Sequence, residues 1–136
     1  MKILILCTGN SCRSQMAHGL LVSKFPSYDI FSAGTKPEKV NPYAVKVMKL
    51  LNIDISEYTS NHVDEYSKID FDYVFTVCDN AKQICPVFPK ASNLIHKSFI
   101  DPADAKGSED EKLLVYKKVR NELQDYFDKF FDKLIK

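Results

Sequence analysis

The sequence lacks an apolar stretch long enough to span a bilayer, so no transmembrane helix is expected. It also lacks an excess of one charge: 19 Lys and Arg against 18 Asp and Glu leave a formal net charge of +1. No broad field draws in nucleic acid or an anionic membrane, and neither is expected as a partner. Closely spaced C-x2-C pairs are missing. The four cysteines, Cys7, Cys12, Cys78 and Cys85, stand with four and six residues inside each pair, which argues against a zinc site. No metal site and no bound cofactor are expected. The nucleotide loop G-x4-G-K-S/T does not occur, and there is no internal repeat, low-complexity tract or linker. Residues 1–136 therefore read as one domain, expected to be monomeric. The apolar run 3–6 is too short for a signal peptide and meets Cys7 and a polar loop instead of a small-residue cleavage site. A cytoplasmic location follows as the expectation. Static disulfides are rare there, which leaves thiol chemistry as the expected use of the cysteines.

What is present is an alternation of strand and helix patterns. Residues 3–6 form a continuous apolar run ending in a loop with Gly9, the pattern of a central parallel strand. A helical pattern runs from Ser14 and stops before Pro26, with Met16, Leu20 and Phe25 among its apolar positions. Tyr28 to Ser32 reads as a second strand closed by Gly34. Asn41-Pro42 is a helix start, with Asn as cap and Pro in the first turn, and Val45, Met48 and Leu51 mark that helix's apolar side. Residues 53–69 read as loop with a short helix. Phe71 to Val77 reads as a third strand, 79–84 as a short helix before Pro86, and Asn93 to His96 as a fourth strand. Ser108 and Glu111 form a capping box for a last helix, whose Tyr116, Val119, Leu123, Phe127, Phe130 and Leu134 recur every three or four residues. The alternation predicts an α/β fold, a four-stranded parallel sheet flanked by helices on both faces.

The motif with chemical content is Cys7-Thr8-Gly9-Asn10-Ser11-Cys12-Arg13-Ser14, of the form C-x5-R-S between a strand and a helix. A loop entering a helix N-terminus aims several backbone N–H groups at one point and makes an anion cradle. Gly9 is expected to let the backbone bend close to the ligand. Arg13 offers a planar fork matched to a tetrahedral oxyanion. The same positive surroundings favour the thiolate of Cys7, and Ser14 can donate to it. Residues 8–14 are thus the expected oxyanion-binding set, with Cys7 as nucleophile. Cys12 has no evident partner and is expected to pack within the loop.

Asp101-Pro102 follows the fourth strand. The dipeptide is a plain turn pair or, at the carboxyl end of a parallel sheet facing the anion loop, a general acid; beside that loop the acid is the favoured reading. Cys78 ends the third strand and would emerge at the same edge as Cys7. Cys78 and Cys85 are either two buried structural cysteines or a relay in which Cys78 attacks sulfur on Cys7 and Cys85 resolves the product; beside a Cys7 nucleophile the relay is favoured.

The segment CTGNSCRSQMA at 7–17 resembles the anion loop of the low-molecular-weight protein tyrosine phosphatase superfamily, in particular the thioredoxin-coupled arsenate reductases. The likeness extends to Ser32-Ala33-Gly34, Asn41-Pro42, Thr76-Val77-Cys78 with Cys85-Pro86, Phe99-Ile100-Asp101-Pro102-Ala103 and Lys118-Val119-Arg120. It implies that Cys7 attacks arsenic with help from Arg13 and Asp101, that Cys78 attacks the adduct as arsenite leaves, and that Cys85 then leaves a Cys78–Cys85 disulfide for thioredoxin. Arsenate is the implied substrate, with phosphate and sulfate as competing oxyanions. The pairing also bears on the short helix expected over 79–84. Seven helical residues rise roughly 10 Å, whereas bonded cysteines need Cα atoms within about 7 Å, so that helix cannot persist in the disulfide form. Some members of the family hold a potassium ion beside the loop through Asn, Glu, Ser and Asp. The matching positions here are Asn10, His18, Ser32 and Asn61, without either carboxylate, so that site is not expected. Two rival functions remain: a tyrosine phosphatase using Cys7, Arg13 and Asp101 alone, and a non-catalytic oxyanion-binding or redox-sensing module. Against the phosphatase, Ala103-Asp104-Ala105-Lys106 after Asp101-Pro102 forms no aromatic platform.

Overall fold

The computed structural model describes residues 1–77 and 91–135. Strands β1 (Lys2–Cys7), β2 (Asp29–Gly34), β3 (Phe71–Thr76) and β4 (Ala91–His96) form one parallel sheet in the order β2-β1-β3-β4. Helices α1 (Arg13–Lys24), α2 (Pro42–Lys49) and α3 (Glu109–Ile135) accompany it, with short 3-10 turns at Val63–Tyr66 and Pro102–Asp104. Among the described residues no helix is long and apolar enough to cross a membrane. The helix expected over 79–84 lies outside the described residues.

The alternation of β1 splits the core in two. Ile3, Ile5 and Cys7 face a large cluster that takes in Met16 and Leu21 of α1, Val47 and Met48 of α2, and Val119, Leu123 and Phe127 of α3. Leu4 and Leu6 face the opposite side, with Phe71, Val74 and the half-buried Val63, Tyr66 and Ile69. Both faces are covered as expected, but unequally among the described residues: the three α-helices share one face, and a 3-10 turn covers the other. Aromatic rings fill the larger cluster, with Phe75 meeting Phe127 edge-on at 5.0 Å between centroids.

Two helix faces are rotated from the sequence expectation. Ala44, Val47 and Met48 are the buried residues of α2, while Val45 is half-buried and Leu51 lies beyond the helix end. The reason is proximity. α2 packs against α3, where Arg120 Nη1 donates to the Val47 carbonyl at 2.7 Å, and a small Ala44 admits the close approach. On α3 the buried line runs Tyr116, Val119, Leu123, Phe127 and Phe131; Phe130 is half-buried and Leu134 exposed. The 3.6-residue period carries the stripe from Phe127 to i+4, so Phe131 takes the inner place. The expected Ser108–Glu111 capping box is present, each residue's side chain accepting from the other's N–H at 3.2 Å.

The register sets the functional edge. Cys7 pairs with Gly34, Leu6 with Thr76, and the Val77 N–H donates to the Leu6 carbonyl at 3.0 Å. β1 lies between β2 and β3, so the chain leaves it to one side and returns on the other. That makes the carboxyl end of β1 the switch point of the sheet, where ligands bind in parallel α/β folds. Gly34 lies against the loop that follows β1. A Cβ there would stand 2.4 Å from the Thr8 carbonyl oxygen and 3.0 Å from the Asn10 nitrogen, both backbone. Gly34→Ala is therefore expected to cost about 2 kcal/mol in urea unfolding through forced backbone displacement; a loss under about 0.5 kcal/mol would show that the loop yields freely.

Candidate active site

The N-terminus of α1 is built differently from the other helix starts. Asn41 caps α2, Asp101 caps the Pro102–Asp104 turn and His62 caps the Val63–Tyr66 turn, each by a side-chain acceptor. At α1 the cap position is Cys12, which offers no side-chain hydrogen bond. The first turn holds no acid and begins with Arg13. Positive charge at a helix N-terminus is unfavourable unless an anion answers it.

The loop before the helix supplies the matching donors. Its carbonyls all accept from protein donors, two of them on the wall of the cleft. Thr8 takes the Lys36 N–H at 2.9 Å, Gly9 the Glu38 N–H at 2.8 Å, Ser11 the Asn41 N–H at 2.9 Å and Cys12 the Met16 N–H at 2.9 Å. Asn10 takes Gln15 Nε2 at 2.9 Å and the Ser60 hydroxyl at 2.6 Å. A trans peptide holds its N–H opposite its C=O. Engaging these carbonyls leaves the N–H groups of Gly9, Ser11, Cys12 and Arg13 on the opposite sides of their peptides, and all four residues line the cleft.

Asn10 is the keystone of the turn. It is wholly buried with φ of 50°, in the left-handed region. Its Nδ2 donates to Ser14 Oγ at 2.8 Å and its Oδ1 accepts the Asn61 N–H at 2.9 Å. Gly9, expected to supply the bend, has no positive φ, and the atoms nearest to a Cβ on it would belong to the Ser11 and Glu38 side chains. The bend therefore sits at Asn10, whose short amide side chain tolerates it, and the glycine demanded by close approach is Gly34.

Arg13 and Asp101 meet across the cleft. Arg13 Nη2 lies 3.2 Å from Asp101 Oδ2, and Nη1 donates to the Phe99 carbonyl at 3.0 Å. Asp101 Oδ1 accepts the Ala103 N–H at 3.0 Å, so the turn after β4 holds the carboxylate in place. Among the described residues the buried Arg13 Nε–H has no hydrogen-bond partner. An orphaned buried donor is costly, and a tetrahedral oxyanion would satisfy it. The cleft measures about 170 Å³ and is lined by Cys7, Thr8, Gly9, Ser11, Cys12 and Arg13 from the loop, Asp101 and Ala103 from the β4 side, and Lys36 and Glu38.

The structure thus brings Cys7, Arg13 and Asp101 to one cleft. Cys12 packs into the core with its sulfur near the Ser11 and Tyr116 hydroxyls, at 3.7 and 3.9 Å, and burial pushes its thiol pKa up. Cys78 and Cys85 lie outside the described residues. Sequence reasoning missed Lys36 and Glu38. Their only signal is alternation in the extended stretch after Gly34, which puts residues 36 and 38 on one side.

The low molecular weight phosphotyrosine protein phosphatase family model matches residues 2–136. The chain belongs to this family. Among curated relatives, an arsenate reductase of Halalkalibacterium halodurans is 45% identical over 122 residues, covering 89% of this chain and 88% of the relative. One of Bacillus subtilis is 41% identical over 129 residues, covering 94% and 93%. Solved structures of the same fold include an arsenate reductase in a phosphate-binding state, with a TM-score of 0.83, 26% identity and 97% of each chain covered. An arginine phosphatase from Geobacillus stearothermophilus superposes with a TM-score of 0.77 at 25% identity, covering 98% of this chain and 92% of the other.

The potassium site that some members of the phosphatase family carry does not fit these residues. Asn10 Oδ1 already accepts the Asn61 N–H, and Asn61 Oδ1 accepts the Thr59 hydroxyl at 3.0 Å. Ser32 Oγ shares a hydrogen bond of 2.8 Å with His18 Nδ1. The His18 ring also packs on that of Tyr58, with centroids 4.8 Å apart. Melting temperatures in potassium and sodium at equal ionic strength should therefore agree within about a degree. A rise of several degrees in potassium would reveal a bound ion by linkage.

Burial pushes the His18 pKa down from 6.5 to about 4. The folded protein holds this ring neutral, while the unfolded chain takes up a proton below 6.5. The associated stability is complete above that value, falls as the pH drops through it, and is gone below about 4. The full difference is about 3 kcal/mol, of which about 2 kcal/mol is lost by pH 5. In urea unfolding, His18→Gln should flatten the fall between pH 7 and pH 5. An unchanged slope in the variant would assign the pH dependence elsewhere.

Proposed function

We propose that this protein reduces arsenate to arsenite, with Cys7 as nucleophile and Cys78 and Cys85 as the electron relay. The observation that carries an oxyanion substrate is the buried Nε–H of Arg13, unpartnered among the described residues, beside an uncapped helix start. Relatives at 41–45% identity that are named arsenate reductases support arsenate as the oxyanion. Among the described residues no aromatic side chain lines the cleft, which suits a free oxyanion better than an aryl ester.

The Cys7 thiolate attacks arsenic, and an arsenate hydroxyl leaves as water, its second proton drawn from solvent and passed on by Asp101 once Arg13 turns from that carboxylate to the bound anion. Ser14 Oγ, which accepts from Asn10 Nδ2, keeps its own proton to direct at the sulfur. The chain enters Cys78 from Val77, whose N–H bonds the carbonyl of Leu6, the residue before Cys7. The Cys78 thiolate attacks the Cys7 sulfur. A disulfide forms, and the sulfur–arsenic bonding pair stays with arsenic, which leaves as arsenite. Cys85 then attacks Cys78, freeing Cys7, and an external dithiol such as thioredoxin reduces the Cys78–Cys85 bond.

A coupled assay with thioredoxin and its reductase, using arsenate in one arm and an aryl phosphate in the other, tests this reading. Arsenate should turn over steadily and the aryl phosphate only weakly. Cys7→Ser should abolish both reactions. Cys85→Ser should spare the weak phosphatase reaction and stop repeated arsenate turnover. Wild-type arsenate turnover in Cys85→Ser would refute the relay, and efficient aryl phosphate hydrolysis without arsenate turnover would favour the phosphatase.

A further inference from the structure

The wall of the cleft formed by the stretch after Gly34 carries a carboxylate that the proposed chemistry does not use. The Glu38 N–H is anchored to the Gly9 carbonyl at 2.8 Å, and Glu38 lines the cleft. Its carboxylate hangs over the loop: Oε2 lies 3.5 Å, and the carboxyl carbon 3.7 Å, from where a Cβ on Gly9 would stand. Among the described residues Glu38 has no ion-pair partner, and Lys36 on the same wall has none either. The second carboxylate of the cleft is differently placed. Asp101 Oδ2 is engaged by Arg13 and Oδ1 by the Ala103 N–H. One carboxylate is thus committed, and the other has no ion-pair partner among the described residues.

A bare carboxylate beside an anion cradle repels a fully ionised anion. It has the opposite effect on an oxyanion that still carries a proton, because the anion's hydroxyl can then donate to it. At neutral pH arsenate and phosphate keep at least one proton, and sulfate keeps none. Charge and shape hardly separate these tetrahedral anions, and backbone N–H groups bind them all. A single acceptor at the rim separates them by proton content, offering a hydrogen bond to one class and an unpaired charge to the other.

We propose that Glu38 is a specificity-determining residue that accepts the hydroxyl proton of a hydrogen-bearing oxyanion and thereby rejects sulfate. The inference rests on the oxyanion reading of the cleft and deepens it. Sulfate then competes poorly with arsenate at this site, although the cradle itself would hold either. Lys36, two residues away on the same wall, adds attraction for any anion and does not discriminate.

Isothermal titration of the reduced protein with inorganic phosphate and with sulfate, at neutral pH and equal ionic strength, tests it. Wild type should bind phosphate at least about tenfold more tightly than sulfate. In Glu38→Gln the two constants should move in opposite directions, phosphate weakening and sulfate tightening, until they agree within about threefold, since an amide can donate to sulfate. Glu38→Ala should lose discrimination as well, which separates the acceptor from any new donor. An unchanged ratio in both variants overturns the proposal and leaves the cradle standing. So does a parallel gain for both anions, because Glu38 would then act as a plain negative charge. If neither anion binds wild type, the oxyanion reading itself falls, and this inference with it.

Discussion

The site depends on five carbonyl oxygens pointing the wrong way for a ligand. Thr8, Gly9, Asn10, Ser11 and Cys12 each spend their acceptor on a donor from the protein itself. Only that commitment leaves the N–H side of the loop free to face an anion. A short loop cannot satisfy its carbonyls internally and also curl its N–H groups inward, so the acceptors must be met by neighbouring segments. Residues 36–41 and Ser60 do this from two sides, while Gln15 and Met16 do it from α1. Much of the chain outside the sheet is therefore occupied in holding a single turn of backbone.

This constraint explains why several polar residues are buried. Asn10 and Gln15 are wholly inaccessible, and Ser14 is as well. Burying polar side chains is unfavourable unless they are bonded, and here most of their capacity is used within the loop. Asn10 is the clearest case, since its backbone sits in a region that few residues adopt and four hydrogen bonds hold it there. The exceptions lie beside it: among the described residues, Arg13 Nε and Gln15 Oε1 are buried without partners. The orphaned Arg13 Nε lies at the cleft and the strained Asn10 in its loop, while the apolar clusters on either side of β1 carry the stability.

The parts of this arrangement that repeat locally were legible in the sequence. The apolar run of β1, the Asn41-Pro42 start and the Ser108–Glu111 box depend on neighbours within a few residues, and all three are in place. The C-x5-R-S spacing pointed to the loop, and Asp101 to the residue that meets Arg13. What depends on distant segments was not legible. The need for glycine at Gly34 comes from a carbonyl 26 positions earlier in the chain. Glu38 and Lys36 look like ordinary surface charges until the hydrogen bonds of residues 36 and 38 bring their side chains to the rim. The inner face of α2 turned on a small alanine, which hydrophobic patterning undervalues.

A cradle made of backbone counts oxygens and is indifferent to the atom they surround. The loop, the uncapped α1 and Arg13 would serve phosphoryl transfer and arsenate reduction alike, because both begin with a thiolate attacking a tetrahedral centre. The family holds proteins named for each kind of chemistry on this one fold. The division between them must then lie in groups that are not part of the cradle. A nearby thiol would draw a sulfur–anion adduct toward electron transfer, and groups at the rim would bias which anions arrive. Water completes a hydrolysis at any such adduct, but reduction needs a second sulfur at the same edge of the sheet. The strand order supplies that edge: it sets β3 beside β1, so that the chain leaving Val77 starts level with the residue that ends β1.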